Sequence, residues 1–202
     1  MMYNQYRLGY VEVITGCMFA GKTEELIRRI NVMKFAKKNI LVFKPEMDNR
    51  YSESAVVSHA GSQVESISAK NAHEIYEHCQ AHPEVEVVAI DEIQFYDEDI
   101  ILVIDELALA GKRVMVAGLD TNFRGEPFGV VPHLMTSAEF VTKLTAVCIQ
   151  CGSPATRTQR LVDGKPAKYT DPTILVGASE SYEARCRHCH AIAEKPTYQK
   201  KG

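Results

Sequence analysis

No stretch of this 202-residue chain approaches the ~20 consecutive apolar residues of a membrane-crossing helix, which excludes a helical membrane protein. Residues 1–7 carry no apolar signal core, so a cytoplasmic protein is expected rather than an exported one. Excess basic charge is missing too: a formal net charge of -3 and a pI of about 6.2 argue against a broad cationic surface for nucleic acid. No internal repeat, low-complexity tract or collagen-like period interrupts the sequence. What remains is ordinary globular composition, 46% hydrophobic and 24% charged, in a chain long enough to bury roughly 70% of its unfolded surface without staples. A reducing compartment disfavours disulfides, so the six cysteines are left for metal binding, catalysis or packing.

The first two-thirds alternate short apolar runs with helical periods. Strands are expected at residues 10–14, 40–43, 85–90 and 113–117, and helices over 23–37, near 71–79 and over 97–110. In the first helix Leu26, Ile30 and Met33 share one face, while Glu24/Arg28 and Glu25/Arg29 are spaced as ion pairs of a solvated face. The acidic run Asp97-Glu98-Asp99 suits a helix start, and Gly111 ends that helix. Such alternation predicts an α/β fold whose mostly parallel sheet is covered by helices on both faces, with chemistry at the carboxyl ends of the strands. After Cys148 the helical periods vanish, and 156–162 and 173–177 read as short strands. A boundary near 145 therefore separates the α/β domain, 1–145, from a smaller unit, 146–202.

Gly16-Cys17-Met18-Phe19-Ala20-Gly21-Lys22-Thr23 fits the phosphate-loop pattern and lies between an expected strand and an expected helix. Glycines let successive N–H groups curl round an anion, and the helix N-terminus adds its positive end. Lys22 is placed to reach the β- and γ-phosphates and the Thr23 hydroxyl to hold Mg²⁺. The run 87–90 ends in Asp91-Glu92, where an aspartate suits the magnesium shell and Glu92, on the other face of an extended chain, suits a general base. If Glu92 activates water the protein is an ATPase; if it activates a substrate hydroxyl it is a kinase. Spacing alone does not choose.

Cys148-x-x-Cys151 and Cys186-x-x-Cys189 form two knuckles whose four thiolates suit a closed, structural Zn²⁺ site. His188 and His190 are alternative fourth ligands, and the long intervening stretch makes the metal a clasp on a sizeable loop. That loop reads as a lid or as a nucleic-acid module; acidic residues among Arg157, Arg160, Lys165 and Lys168 favour the lid. Cys17 and Cys79 read as packing residues.

Together the phosphate loop continuing into Glu24-Glu25-Leu26, the run Asp91-Glu92-Ile93-Gln94-Phe95, Gly118-Leu119-Asp120 with Phe123 and Pro127-Phe128-Gly129, and the paired knuckles resemble the type II thymidine kinases over essentially the whole chain. The resemblance implies a RecA-like P-loop core with a zinc-containing "lasso", and ATP-dependent phosphorylation of the thymidine 5′-hydroxyl in deoxyribonucleoside salvage. It implies Glu92 as base, and Thr15, the phosphate loop, Asp48, Asn49, Arg50, Asp91 and Gln94 as nucleotide contacts. It places Met18, Phe95, Leu119, Phe123, Phe128, Thr158 and Tyr182 round the thymine, with backbone groups of Thr173, Ile174, Leu175, Val176 and Gly177 at the base edge. Mg²⁺ with ATP, structural Zn²⁺, feedback inhibition by thymidine triphosphate and a homotetramer are further implications. Two positions depart from the family pattern: Ile93 is bulkier than usual, and Cys17 replaces a common proline.

Overall fold

Apolar side chains on both faces of each central strand dictate a sheet buried between two layers. The computed structural model describes residues 9–46, 55–57, 63–174 and 180–197, and the statements below concern those residues. The chain runs β1 (Tyr10–Thr15), α1 (Lys22–Phe35), β2 (Ile40–Pro45), β3 (Ala55–Val57), β4 (Gln63–Glu65), β5 (Ile67–Ala69), α2 (Ala72–Ala81) and β6 (Val87–Ile90). A 3-10 turn at Ile93–Phe95, α3 (Asp99–Leu109), β7 (Arg113–Gly118), α4 (Val131–Ser137) and β8 (Phe140–Lys143) complete the core. The remainder is β9 (Ala146–Val147), β10 (Pro154–Ala155), β11 (Arg157–Val162), β12 (Lys165–Pro166) and β13 (Glu180–Arg185).

Six strands form one wholly parallel sheet in the order β5-β2-β6-β7-β1-β8. The period of two sorts its side chains. Val13, Phe43, Val88, Ile90, Val114 and Val116 face Ile75 and Cys79 of α2, Ile100, Ile104 and Leu107 of α3, and Val131 and Leu134 of α4. Their neighbours Ile14, Val42, Val87, Ala89, Met115 and Ala117 face Leu26, Ile27 and Ile30 of α1 and Val56 and Val64 of β3 and β4. The expected α/β class with helices on both faces is the observed one. Met33 packs at the margin of that second core, as its spacing predicts.

Caps set the helix boundaries. Asn71 accepts from the Glu74 N–H at 3.0 Å to start α2, and Asp97 accepts from both Ala72 N–H (3.2 Å) and Asp99 N–H (3.1 Å), so one carboxylate joins two helix starts. The outer face of α1 departs from simple i, i+4 pairing. Glu25 takes both Arg28 and Arg29, and Arg29 also reaches the buried Glu12 at 2.6 Å. Arg28 is thus held by Glu25 rather than Glu24.

From Ala146 the strands are short and antiparallel, with β9 on β10 and β11 between β12 and β13. The strand expected over 173–177 is not seen where it can be judged: Thr173 and Ile174 lie in irregular backbone, and 175–177 fall outside the described residues. No helix among the described residues is long and apolar enough to cross a membrane.

Candidate active site

Because all six strands are parallel, the loops after β1, β6, β7 and β8 emerge at one edge of the sheet. The Thr15 hydroxyl donates to Gly118 O at 2.9 Å and Leu144 N–H donates to Thr15 O at 2.7 Å, which binds the ends of β1, β7 and β8 together. Immediately after β1, Gly16 adopts φ 143, and a Cβ there would sit 2.5 Å from Leu144 O, so only glycine lets the loop turn here. Phe19 (φ 66) and Gly21 (φ 80) are also left-handed, and the chain curls before α1 begins at Lys22. Lys22 folds back across this curl with Nζ 3.0 Å from Cys17 O.

The Thr23 hydroxyl donates to Asp91 Oδ2 at 3.1 Å, joining the first turn of α1 to the end of β6. Burial, and then the adjacent Glu92 carboxylate, push the Asp91 carboxyl well above the usual range; the Glu92 N–H, the Thr23 hydroxyl and Lys22 oppose the shift. A cation shared by Thr23 and Asp91 would relieve that cost, and hydroxyl plus carboxylate is an oxygen donor set that suits Mg²⁺. Glu92 is not on an extended strand as expected. Its φ 49 and ψ 42 are left-handed, and the turn sends its side chain along a different path from Asp91. Gln94 Nε2 donates to Glu92 Oε2, and Gln94 Oε1 accepts from Leu119 N–H at 3.1 Å.

Several residues expected round a base come together. Phe95 and Phe128 meet edge to face with centroids 6.0 Å apart. Met18 N–H donates to Thr158 Oγ1 at 3.1 Å, bringing β11 onto the phosphate loop. Phe123 is buried, with the Arg160 and Arg124 guanidinium carbons 5.2 and 5.5 Å from its ring centroid. Tyr182 stands opposite Arg160 in the β11–β13 register. Thr173 is half-buried and Ile174 is 46% exposed. Asp48, Asn49, Arg50, Leu175, Val176 and Gly177 lie outside the described residues.

The arginines were not singled out as site residues. Arg124 donates to Asp171 O at 2.6 Å and stacks on Tyr169, while Arg160 donates to Pro172 O at 2.6 Å. They tie Phe123 to the backbone just before Thr173. Only the basic residues of the stretch, Arg160 among them, hinted at this.

The Sγ atoms of Cys148, Cys151, Cys186 and Cys189 all lie within 4.8 Å of one another. The 3.7 Å between Cys151 and Cys186 matches the ~3.8 Å edge of a tetrahedron with Zn–S bonds of ~2.3 Å. These four thiols fit Zn²⁺ without a histidine; His190 instead donates from Nε2 to Phe123 O at 2.9 Å. Cys148 and Cys186 pack with Cys17, Ala146, Ala155 and Ala184, so the cysteine cluster backs directly onto the phosphate loop. Burial pushes the Cys17 thiol up, and it donates to Ala155 O at 3.4 Å. Burial likewise pushes Cys79, on the buried face of α2, up to about 11. Both are the packing residues the sequence implies.

Among solved structures, the genome packaging NTPase B204 from Sulfolobus turreted icosahedral virus 2, in complex with ATP-gammaS, is 14% identical with a TM-score of 0.45, over 68% of this chain and 75% of that one. AMPPCP-bound DnaA from Aquifex aeolicus is 12% identical (TM-score 0.38), and a DNA replication initiation factor is 13% identical (TM-score 0.39). In each of these two the match covers 68% of this chain and 40% of the other. A family model described as thymidine kinase matches residues 9–190, from just before β1 to just past the last cysteine of the cluster, and the chain therefore belongs to the thymidine kinase family.

Proposed function

We propose that the chain transfers the γ-phosphoryl group of ATP to the 5′-hydroxyl of thymidine, giving thymidine monophosphate and ADP, in deoxyribonucleoside salvage. The observation that carries this reading is the joined pair Thr23 and Asp91 with Glu92 next in the chain, turned by its left-handed backbone onto a separate path. In this reading the curled backbone at 16–23 and Lys22 cradle the phosphates. Glu92 accepts the proton of the 5′-hydroxyl as its oxygen bonds the γ-phosphorus and the bond to the ADP oxygen breaks; general-base help of this kind contributes about 10²–10⁴ in rate. Thr23 and Asp91 would hold Mg²⁺, which neutralises phosphate charge when bound. The four cysteines would hold Zn²⁺ as a structural clasp.

Met18, Phe95, Leu119, Phe128 and Thr158 would border the thymine, with Phe123 steadied by its two arginines. Thr173 to Gly177 would offer backbone groups to its edge. Asp48, Asn49 and Arg50 would approach the phosphates. A segment folded over the nucleoside would exclude water, which a kinase requires to avoid hydrolysing ATP. The division at 145, feedback inhibition by thymidine triphosphate, a homotetramer and a cytoplasmic location belong to the same proposal.

The test is Glu92→Gln in zinc-loaded protein. Binding of ATP should be kept while thymidine phosphorylation falls by about 10²-fold or more. Wild-type turnover would remove Glu92 as the base. Nucleic-acid-stimulated ATP hydrolysis without phosphorylation of thymidine would replace the kinase reading altogether.

A further inference from the structure

A base is effective only if its carboxylate is aimed, and Glu92 sits on a left-handed turn with its Oε2 accepting a bond from Gln94 Nε2. We propose that Gln94 is the positioning residue for this base: a two-ended amide clamp that fixes the Glu92 carboxylate relative to the backbone of Leu119. The inference rests on Glu92 being the base and goes beyond the nucleotide contact that the resemblance implies for Gln94.

The geometry admits one orientation of the amide. A carboxylate oxygen only accepts and a backbone N–H only donates. Gln94 therefore presents Nε2 to Glu92 Oε2 and Oε1 to Leu119 N–H, and a flipped amide would lose both bonds. The residue is 4% exposed, so no solvent competes for its side chain. Two glycines make room for it. A Cβ at Gly118 would lie 2.6 Å from Gln94 Oε1, and a Cβ at Gly129, where φ is 51, would lie 2.5 Å from Gln94 O. Gln94 is thus gripped at its backbone under Gly129 and at its side chain beside Gly118, while Ile93, next to it, is fully buried.

The clamp also joins two parts of the reaction. Leu119 is a residue expected beside the thymine, and its N–H holds the far end of the amide that holds the base. One side chain thus bridges the proton acceptor and a residue of the nucleoside pocket. A base displaced by about 1 Å loses up to about 10²-fold in rate without weakening substrate binding. A positioning residue predicts that separation.

The experiment is a double-mutant cycle on the zinc-loaded, full-length chain with Gln94→Met, Glu92→Gln and the pair, following kcat, the KM for thymidine and for ATP, and the melting temperature. Methionine keeps the length and volume of glutamine but makes neither bond. The expected result is a kcat lowered by about 10–10²-fold with both KM values within about twofold, and a double variant no slower than Glu92→Gln alone. Wild-type kcat in Gln94→Met overturns the proposal. So does a raised KM for ATP with kcat kept, which would make Gln94 a phosphate contact, and so do losses that multiply in the double variant. If Glu92→Gln itself turns over normally, the base assignment falls and the clamp with it, a result distinct from all of these. Should Gln94→Met fail to fold, Gln94→Glu decides: it still accepts from Leu119 N–H, has no proton to donate to Glu92 once ionised, and is expected at alkaline pH to lose kcat to the same degree.

Discussion

Thr158→Val removes one hydroxyl at the junction between the cysteine-clasped strands and the phosphate loop. Thr158 is 3% exposed on β11, and its Oγ1 accepts the Met18 N–H across 140 residues of sequence. Valine has the same shape, so the substitution leaves no void; it leaves an amide hydrogen without its acceptor. An unsatisfied, partly buried N–H costs about 1–3 kcal/mol, and the added buried methyl returns about 0.8 kcal/mol. The net loss is about 0.5–2 kcal/mol. For a chain of this length each kcal/mol lowers the melting temperature by about 2–4 °C, so calorimetry should register a fall of about 1–8 °C.

Because Met18 belongs to the loop that must cradle phosphates, part of the loss reappears as weaker nucleotide binding. Titration with a non-hydrolysable ATP analogue, without thymidine, should show Kd rising by up to about tenfold, the equivalent of 1.4 kcal/mol. Thr158→Ser keeps the oxygen and should bind the analogue like wild type, with melting lowered only by about 2–3 °C for the lost buried methyl. Unchanged melting and unchanged Kd in Thr158→Val would refute the coupling. Equal damage from the serine variant, which keeps the acceptor oxygen, would also refute the assignment of the effect to this hydrogen bond.

Extraction of zinc with a chelator should release one ion per chain and lower the melting temperature by on the order of 10 °C, since apparent zinc-binding energies of about 10–16 kcal/mol rival the stability of a whole domain. Nucleotide affinity should fall with it, because Cys148 and Cys186 pack against Cys17; a chelated protein that melts and binds normally would contradict this. Glu12, 5% exposed, pairs with Arg29 and Arg113, so Glu12→Gln takes the carboxylate from Arg113 and leaves Arg29 only Glu25, a loss of about 3–5 kcal/mol that should lower melting by on the order of 10 °C. Melting within 2 °C of wild type, about what an exposed pair is worth, would show the network to be idle.

The elements that carried clear apolar periods were legible in advance. β1, α1, β2, α2, β6, α3 and β7 all lie within a few residues of their expected bounds, because each buries a face and so must write that face into its composition. β8 and α4 carried no such signal. β8 is an edge strand with three of its four residues exposed, so burial imposes no pattern on it. The expected extension of Glu92 failed because a strand signal stops with its apolar run, and the chain turns left-handed at Glu92, just after that run ends. Arg160 read as one of several basic residues in a loop. Its burial between Phe123 and Pro172 O depends on a neighbour from a distant part of the chain.

The amino-acid order settled the chemistry available to this protein: a phosphate loop, two successive carboxylates and four thiols in two knuckles. Those are local patterns, in which the spacing of a few residues already defines the arrangement of the loop or knuckle. Tertiary structure decided how the groups meet. Thr23 reaches Asp91 across 68 residues, and Met18 reaches Thr158 across 140. Contacts of that range follow from strand order and lobe docking, which many sequences with the same local spacings would arrange differently. The aim of Glu92 is the sharpest case, since it depends on an amide anchored to Leu119 and on two glycines that leave it room.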